Sequence, residues 1–120
     1  MIKKNKTKRG RPALGDRVLA QLLSEIKVRL EEVILGDFQL LLFGSRARGN
    51  PDPDSDVDLM LILPDKKYSL ELENEIRDSI YEFSLHTPYL FTALLVTKSL
   101  AQARAGFQVF ASVEKEGISI

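Results

Sequence analysis

The sequence contains no cysteine and only one histidine, and each of these shortages excludes a class of site. Without cysteine the chain forms no disulfide, no thiol nucleophile and no cysteine-based zinc site. A single histidine cannot build a multi-histidine metal site within one chain. No apolar run approaches the roughly 20 residues that span a bilayer, and the basic start lacks the apolar region of a secretion signal. We therefore expect a cytoplasmic protein.

The charge is divided between a basic start and an acidic remainder, although the total is zero. Six of the 17 lysines and arginines lie in the first 12 residues, where there is no acid. The rest of the chain has 11 basic and 17 acidic side chains and so carries a net charge of −6. We predict that residues 1–13 form a disordered basic arm and that residues 14–120 form one domain.

Hydrophobic periodicity predicts the order of helices and strands. Apolar residues at spacings of three and four predict one long helix from Asp16 to about Gly36 and another from about Ser69 to Leu85. Short apolar runs predict strands over residues 38–43, 56–63 and 89–97, the first of them buried on both faces. A short helix over 99–105, a last helix ending at Gly117 and a few strand residues at 118–120 complete the chain. The fold class predicted is α+β, with a small mixed β-sheet flanked by helices.

Two carboxylates, Asp56 and Asp58, stand at the start of the second predicted strand. Residues two apart on a strand point to the same side, which puts these two about 7 Å apart along the backbone. Burying two uncompensated like charges is costly, and a divalent cation removes that cost. Oxygen ligands with open coordination positions favour Mg²⁺ that is also bound to phosphates.

A phosphate-binding corner is predicted directly after the first strand, at Gly44 and Ser45. Glycine lets a phosphate approach the backbone closely, and the start of the following helical turn offers free N–H groups and a positive dipole end. The Ser45 hydroxyl adds one hydrogen bond. Arg46 and Arg48 can meet phosphate oxygens in forked geometry. Together with the two aspartates, this corner predicts a nucleoside triphosphate site.

The pair Gly44-Ser45, followed after ten residues by Asp56-x-Asp58, resembles the signature of the nucleotidyltransferase superfamily that includes DNA polymerase beta. The chain is most similar to its smallest members, the minimal nucleotidyltransferase (MNT) domains. The resemblance covers about residues 17–120 and includes the segments "LLFGSRARG", "SDVDLMLIL" and "FASVEKEGISI". It implies a polymerase beta-like fold.

The same resemblance implies roles for individual residues. Gly44 and Ser45 hold the triphosphate, while Asp56 and Asp58 bind Mg²⁺ and are the catalytic residues. Two further phosphate contacts are implied, at Arg46 and, more weakly, at Arg48. The implied reaction moves a nucleoside monophosphate, AMP from ATP, to an acceptor hydroxyl, and pyrophosphate leaves.

One feature of the family pattern is missing from this sequence. Members commonly carry a third acid on a later strand, and that position falls at or near Thr92. The strand predicted over residues 89–97 contains no Asp or Glu. Three explanations remain open: Asp52 or Asp54 substitutes, the partner's own group or water acts as base, or the chain binds nucleotide without transferring it.

The acceptor is expected to be another protein, because the predicted core fold uses almost the whole chain. Bacterial MNT proteins often pair with an all-helical HEPN toxin, a ribonuclease, and the resemblance implies that this chain is the antitoxin that modifies it. The alternative is a catalytically reduced module that masks its partner by contact. That module can also bind DNA through the arm, since Arg9-Gly10-Arg11-Pro12 resembles an AT-hook core. The simpler interpretation of the arm is a solubilising tail.

Overall fold

The computed structural model describes residues 16–48 and 54–120, whose helices and strands follow the predicted order. They are α1 (Arg17–Val33), β1 (Gln39–Phe43), α2 (Ser45–Arg48), β2 (Val57–Leu63), α3 (Leu70–His86), β3 (Phe91–Thr97), α4 (Lys98–Ala103), α5 (Gln108–Glu116) and β4 (Ile118–Ser119). A 3₁₀ turn at Asp65–Lys67, which the sequence did not predict, lies between β2 and α3. The predicted basic arm and the boundary at residue 14 lie outside the described residues.

The two long helices begin where capping side chains satisfy their first amides. The Asp16 carboxylate accepts a hydrogen bond from the Leu19 N–H at 3.0 Å, which confirms Asp16 as an N-cap. At the start of α3 the Ser69 hydroxyl accepts one from the Leu72 N–H at 3.1 Å. The buried face of α1 is the one that the periodicity predicts, and it consists of Leu19, Leu23, Ile26 and Leu30. Each helix is thus anchored at its start and turns one apolar face to the sheet.

The strands form one mixed sheet in the order β3-β2-β1-β4. β1 is antiparallel to both β2 and β4, whereas β2 and β3 are parallel. A parallel pair needs a long crossover, and α3 supplies it. The described part of the chain is therefore an α+β domain with a mixed sheet, as predicted.

The side chains of β2 alternate between the two faces of the sheet, and this alternation determines the face on which Asp58 lies. Val57, Leu59, Leu61 and Leu63 are buried in the core that the sheet shares with α1 and α3. Met60 lies on the opposite face, in a smaller cluster with Leu41, Val96 and Val113 of α5. β1 is consequently buried on both faces, as predicted. Asp58 has the same parity as Met60 and so belongs to the face that α4 and α5 cover.

The helices of the described ranges are all too short or too polar to cross a bilayer.

Candidate active site

Strand register brings three residues into one row at the end of the sheet. Asp58 pairs with Phe43 across the antiparallel strands and with Thr92 across the parallel ones. Paired residues on neighbouring strands share a face, so this row lies beyond the cluster around Met60. Asp58 and Thr92 are both half-buried there. We call this place the strand-end site, and its residues are Gly44, Ser45, Asp56, Asp58 and Thr92.

Thr92 is bound directly to the second aspartate of the motif. Its hydroxyl donates a hydrogen bond of 2.7 Å to Oδ1 of Asp58. A donor at this oxygen holds the carboxylate in one orientation. Thr92 is at or near the position at which the family resemblance implies a third acid, and its own side chain is an uncharged hydroxyl.

Gly44 lies in close contact with the same carboxylate. Its φ is +77°, a conformation that side-chain-bearing residues rarely adopt. A Cβ built on Gly44 would lie 2.3 Å from Oδ2 of Asp58, closer than any real contact. Only glycine fits, and its presence puts the backbone of the Gly44-Ser45 corner against Asp58, the second acid of the motif.

The helical turn after this corner is short. α2 has four residues, and the amides of Ala47 and Arg48 donate to the Gly44 carbonyl at 3.1 and 3.2 Å. A single turn aligns few peptide dipoles, so the dipole end that the sequence predicts is weak. What this corner offers to an anion is instead the bare backbone of Gly44 and the half-buried Ser45.

Asp56 precedes β2 and its side chain is exposed. Val57, which lies between the two aspartates, is fully buried against α1 and α3. Extended backbone alternates its side chains, so both aspartates turn away from that core. The burial of Val57 between two residues that are not buried is in keeping with the shared side that the spacing predicts.

The two arginines of the motif make different contacts. Arg46 is only 7% exposed, and its guanidinium donates to the Ser55 carbonyl at 3.1 Å. Arg48 is exposed and pairs with Glu116 of α5 at 3.6 Å. An ion pair this exposed contributes little to stability, so Arg48 can leave Glu116 for an incoming anion.

Tyr89 was missed as part of the site by sequence reasoning. Its ring lies under Arg46, with the guanidinium carbon 5.4 Å from the ring centroid. Its hydroxyl donates to Asp16, and this hydrogen bond, with that from the Leu19 amide, lowers the pKa of Asp16. Burial, together with the same contact, raises the pKa of Tyr89. No local pattern points to these contacts, because Tyr89 is 43 residues from Arg46 in the chain.

The donor set of the strand-end site fits Mg²⁺. It offers two carboxylates and two hydroxyls, all oxygen, and Mg²⁺ is commonly held by one or two carboxylates together with substrate phosphates. Across residues 16–48 and 54–120, no group of three or more His, Cys, Asp or Glu side chains is arranged to hold a metal ion. Of the two acids that the sequence offers as substitutes, Asp54 is exposed in a turn and Asp52 lies outside the described residues.

A family model matches most of this chain. The family described as "Nucleotidyltransferase domain" matches residues 20–106, which is nearly three quarters of the chain. The matched segment contains every residue of the strand-end site and ends before α5. A search of curated proteins finds no match to this chain.

Proposed function

This chain belongs to the nucleotidyltransferase domain family, and we propose that it transfers AMP from ATP to a hydroxyl of a protein acceptor. The acceptor proposed is a helical partner of the HEPN type, which this chain silences as an antitoxin. The observation that carries the proposal is the contact between the Gly44 backbone and the Asp58 carboxylate. This contact supports the proposal because it puts a corner suited to phosphate beside one of the two acids suited to metal.

Each residue of the strand-end site has a part in this reaction. Asp56 and Asp58 would hold Mg²⁺, which supplies positive charge to the triphosphate when bound. Gly44 admits a phosphate to the backbone and Ser45 donates to it. Thr92 holds Asp58 in place through its hydrogen bond. The acceptor oxygen attacks the α-phosphorus, the bond from that phosphorus to the bridging oxygen breaks, and pyrophosphate leaves while the hydroxyl proton passes to water or to a group of the partner.

A protein acceptor is favoured by the surface beside Thr92. β3 is an edge strand, and Leu90 and Leu94 lie two residues before and after Thr92. They are 53% and 36% exposed, so this edge of the sheet presents apolar surface beside the site. Exposed apolar side chains that flank a reactive site suit a protein surface better than a small polar substrate.

The test uses ATP labelled at the α-phosphorus or the γ-phosphorus, with Mg²⁺ and the protein that co-purifies with this chain. We expect the α-label on the partner, and we expect the γ-label to leave with pyrophosphate. The double variant Asp56→Asn/Asp58→Asn and a chelator should both abolish labelling, whereas the exposed Asp37→Asn should not. A partner of unchanged mass, or one that carries the γ-label, would contradict the proposal.

A second candidate function, partner masking without transfer, is favoured by the hydroxyl of Thr92 where a carboxylate would complete the metal site. The two functions are separated by Thr92→Asp. If transfer is limited by this gap, the variant should raise the labelling rate about 10-fold or more. It should also destabilise the chain in the absence of Mg²⁺, because it sets two like charges side by side.

The neutral variant Thr92→Asn is the control for shape. Equal rates from the aspartate and asparagine variants would show that the added charge has no role. If wild type and Asp56→Asn/Asp58→Asn inhibited the partner equally and no label appeared on the partner, masking would be supported.

A further inference from the structure

Arg46 is next to the phosphate corner in the chain, but its side chain is buried inside the protein. It is the second residue of α2, directly after Gly44-Ser45. Its side chain is nevertheless one of the two buried polar or charged side chains of the described residues. A phosphate ligand is normally turned towards solvent, from which the phosphate arrives, so the burial of Arg46 suggests a different role.

Arg46 is connected to Asp56, the first aspartate of the motif, through the backbone of Ser55. Its Nη2 donates to the Ser55 carbonyl at 3.1 Å, and that carbonyl belongs to the peptide group just before Asp56. The peptide group just after Asp56 is held too, because the Val57 N–H donates to the Leu90 carbonyl at 2.8 Å. Asp56 itself is exposed and lies outside β2. The two peptide groups that set its backbone angles are thus each tied to another element.

Arg46 is in turn held by Tyr89. The tyrosine ring lies 5.4 Å from the guanidinium carbon and is packed against Phe91, with 6.2 Å between the ring centroids. Its hydroxyl is bound to Asp16 at the start of α1. A planar guanidinium can stack on a ring and donate sideways at the same time, which the compact ammonium of lysine cannot do.

We infer that Arg46 is a positioning residue that fixes Asp56 for metal binding through the Ser55 carbonyl, and that it is not a phosphate ligand. This inference rests on the proposed function, since it concerns the same site. Without the guanidinium, the Ser55–Asp56 peptide loses the hydrogen bond from Arg46, and Asp56 should be held less well at the metal position that it shares with Asp58. The Gly44-Ser45 corner is left intact by this change, so contacts to phosphate should survive.

The two roles predict different losses, which calorimetry separates. In one titration, ATP is added to the protein in the presence of a chelator. In the other, Mg²⁺ is added to the protein at a fixed ATP concentration. For Arg46→Lys we expect the dissociation constant for Mg²⁺ to rise about 10-fold, a usual loss when the support of a ligand is removed. The affinity for metal-free ATP should stay within about twofold. Weaker binding of metal-free ATP with an unchanged metal affinity would overturn the inference.

Two further variants show whether a change in Mg²⁺ affinity comes from the loss of the Arg46 contacts, and not from misfolding or from any Arg-to-Lys change. Tyr89→Leu removes the ring that holds Arg46 without touching the motif, and it should weaken Mg²⁺ binding in the same way. An unchanged metal affinity in folded Tyr89→Leu would also overturn the inference. The matched control is Arg104→Lys, since Arg104 stands 5.3 Å over the Phe107 ring away from the site. Wild type that binds no Mg²⁺ with ATP would refute the proposed function, whereas wild-type binding with an unaffected Arg46→Lys refutes only this inference.

Discussion

Transfer of AMP by the Asp58→Asn variant is expected to fall at least about 100-fold below wild type. Losing the support of a metal ligand already costs about 10- to 100-fold, and this change removes the charge of the ligand itself. Asparagine has nearly the same shape, and its amide oxygen can still accept the hydrogen bond from Thr92. The loss should therefore come from the metal and not from the fold.

Thermal unfolding checks that interpretation. Without Mg²⁺ the Asp58→Asn variant should be as stable as wild type or more stable, because the repulsion from Asp56 is gone. With Mg²⁺ and ATP the wild type should gain stability from ligand binding, and the variant should gain clearly less. Transfer at the wild-type rate, or the same stabilisation by Mg²⁺ and ATP in both proteins, would refute the assignment of Asp58 as a metal ligand.

Replacement of Gly44 by alanine is expected to damage both stability and transfer. The backbone conformation at φ +77° costs a residue with a Cβ about 1–2 kcal/mol. The new Cβ would also lie 2.3 Å from Oδ2 of Asp58, where ordinary contacts begin at 3.4 Å. The carboxylate must then move by about 1 Å, and a misplacement of that size can cost about 100-fold in rate.

Urea denaturation and the labelling assay measure the two effects of Gly44→Ala separately. The matched control is Gly106→Ala, since a Cβ at Gly106 meets nothing within 4 Å and its φ is not positive. That control should leave transfer unchanged and should not lower the free energy of unfolding, because alanine reduces the entropy of the unfolded chain. If Gly44→Ala behaved like Gly106→Ala, the close contact between the corner and Asp58 would have no function.

The helices and strands could be predicted because they follow from patterns among residues that are close together in the sequence. Spacings of three and four residues located α1 and α3, and the unbroken apolar run of β1 predicted burial on both faces. These patterns report only which face of a segment is buried, and they do not depend on which other elements cover that face. The 3₁₀ turn after β2 has no such pattern and was not predicted.

The candidate site was predictable to a smaller extent. The alternation of side chains predicts Asp56 and Asp58 on one side of the chain, and the register against the family pattern puts the position of the missing acid at or near Thr92. The contacts of the two arginines were not predictable, since each depends on a distant segment. Arg46 was interpreted as a phosphate contact because of its place in the motif, yet its side chain lies between Ser55 and Tyr89.

What the sequence by itself determined is the order of the α-helices and β-strands, the apolar face of the long helices and the acids and glycine of the candidate site. Only the tertiary structure decided that Gly44 touches Asp58, that Thr92 binds the same carboxylate and that Arg46 is buried against Tyr89. The physical reason is the range of each interaction. Helices and strands follow from neighbouring residues, whereas these contacts exist only after β1, β2 and β3 have paired in one register and one order.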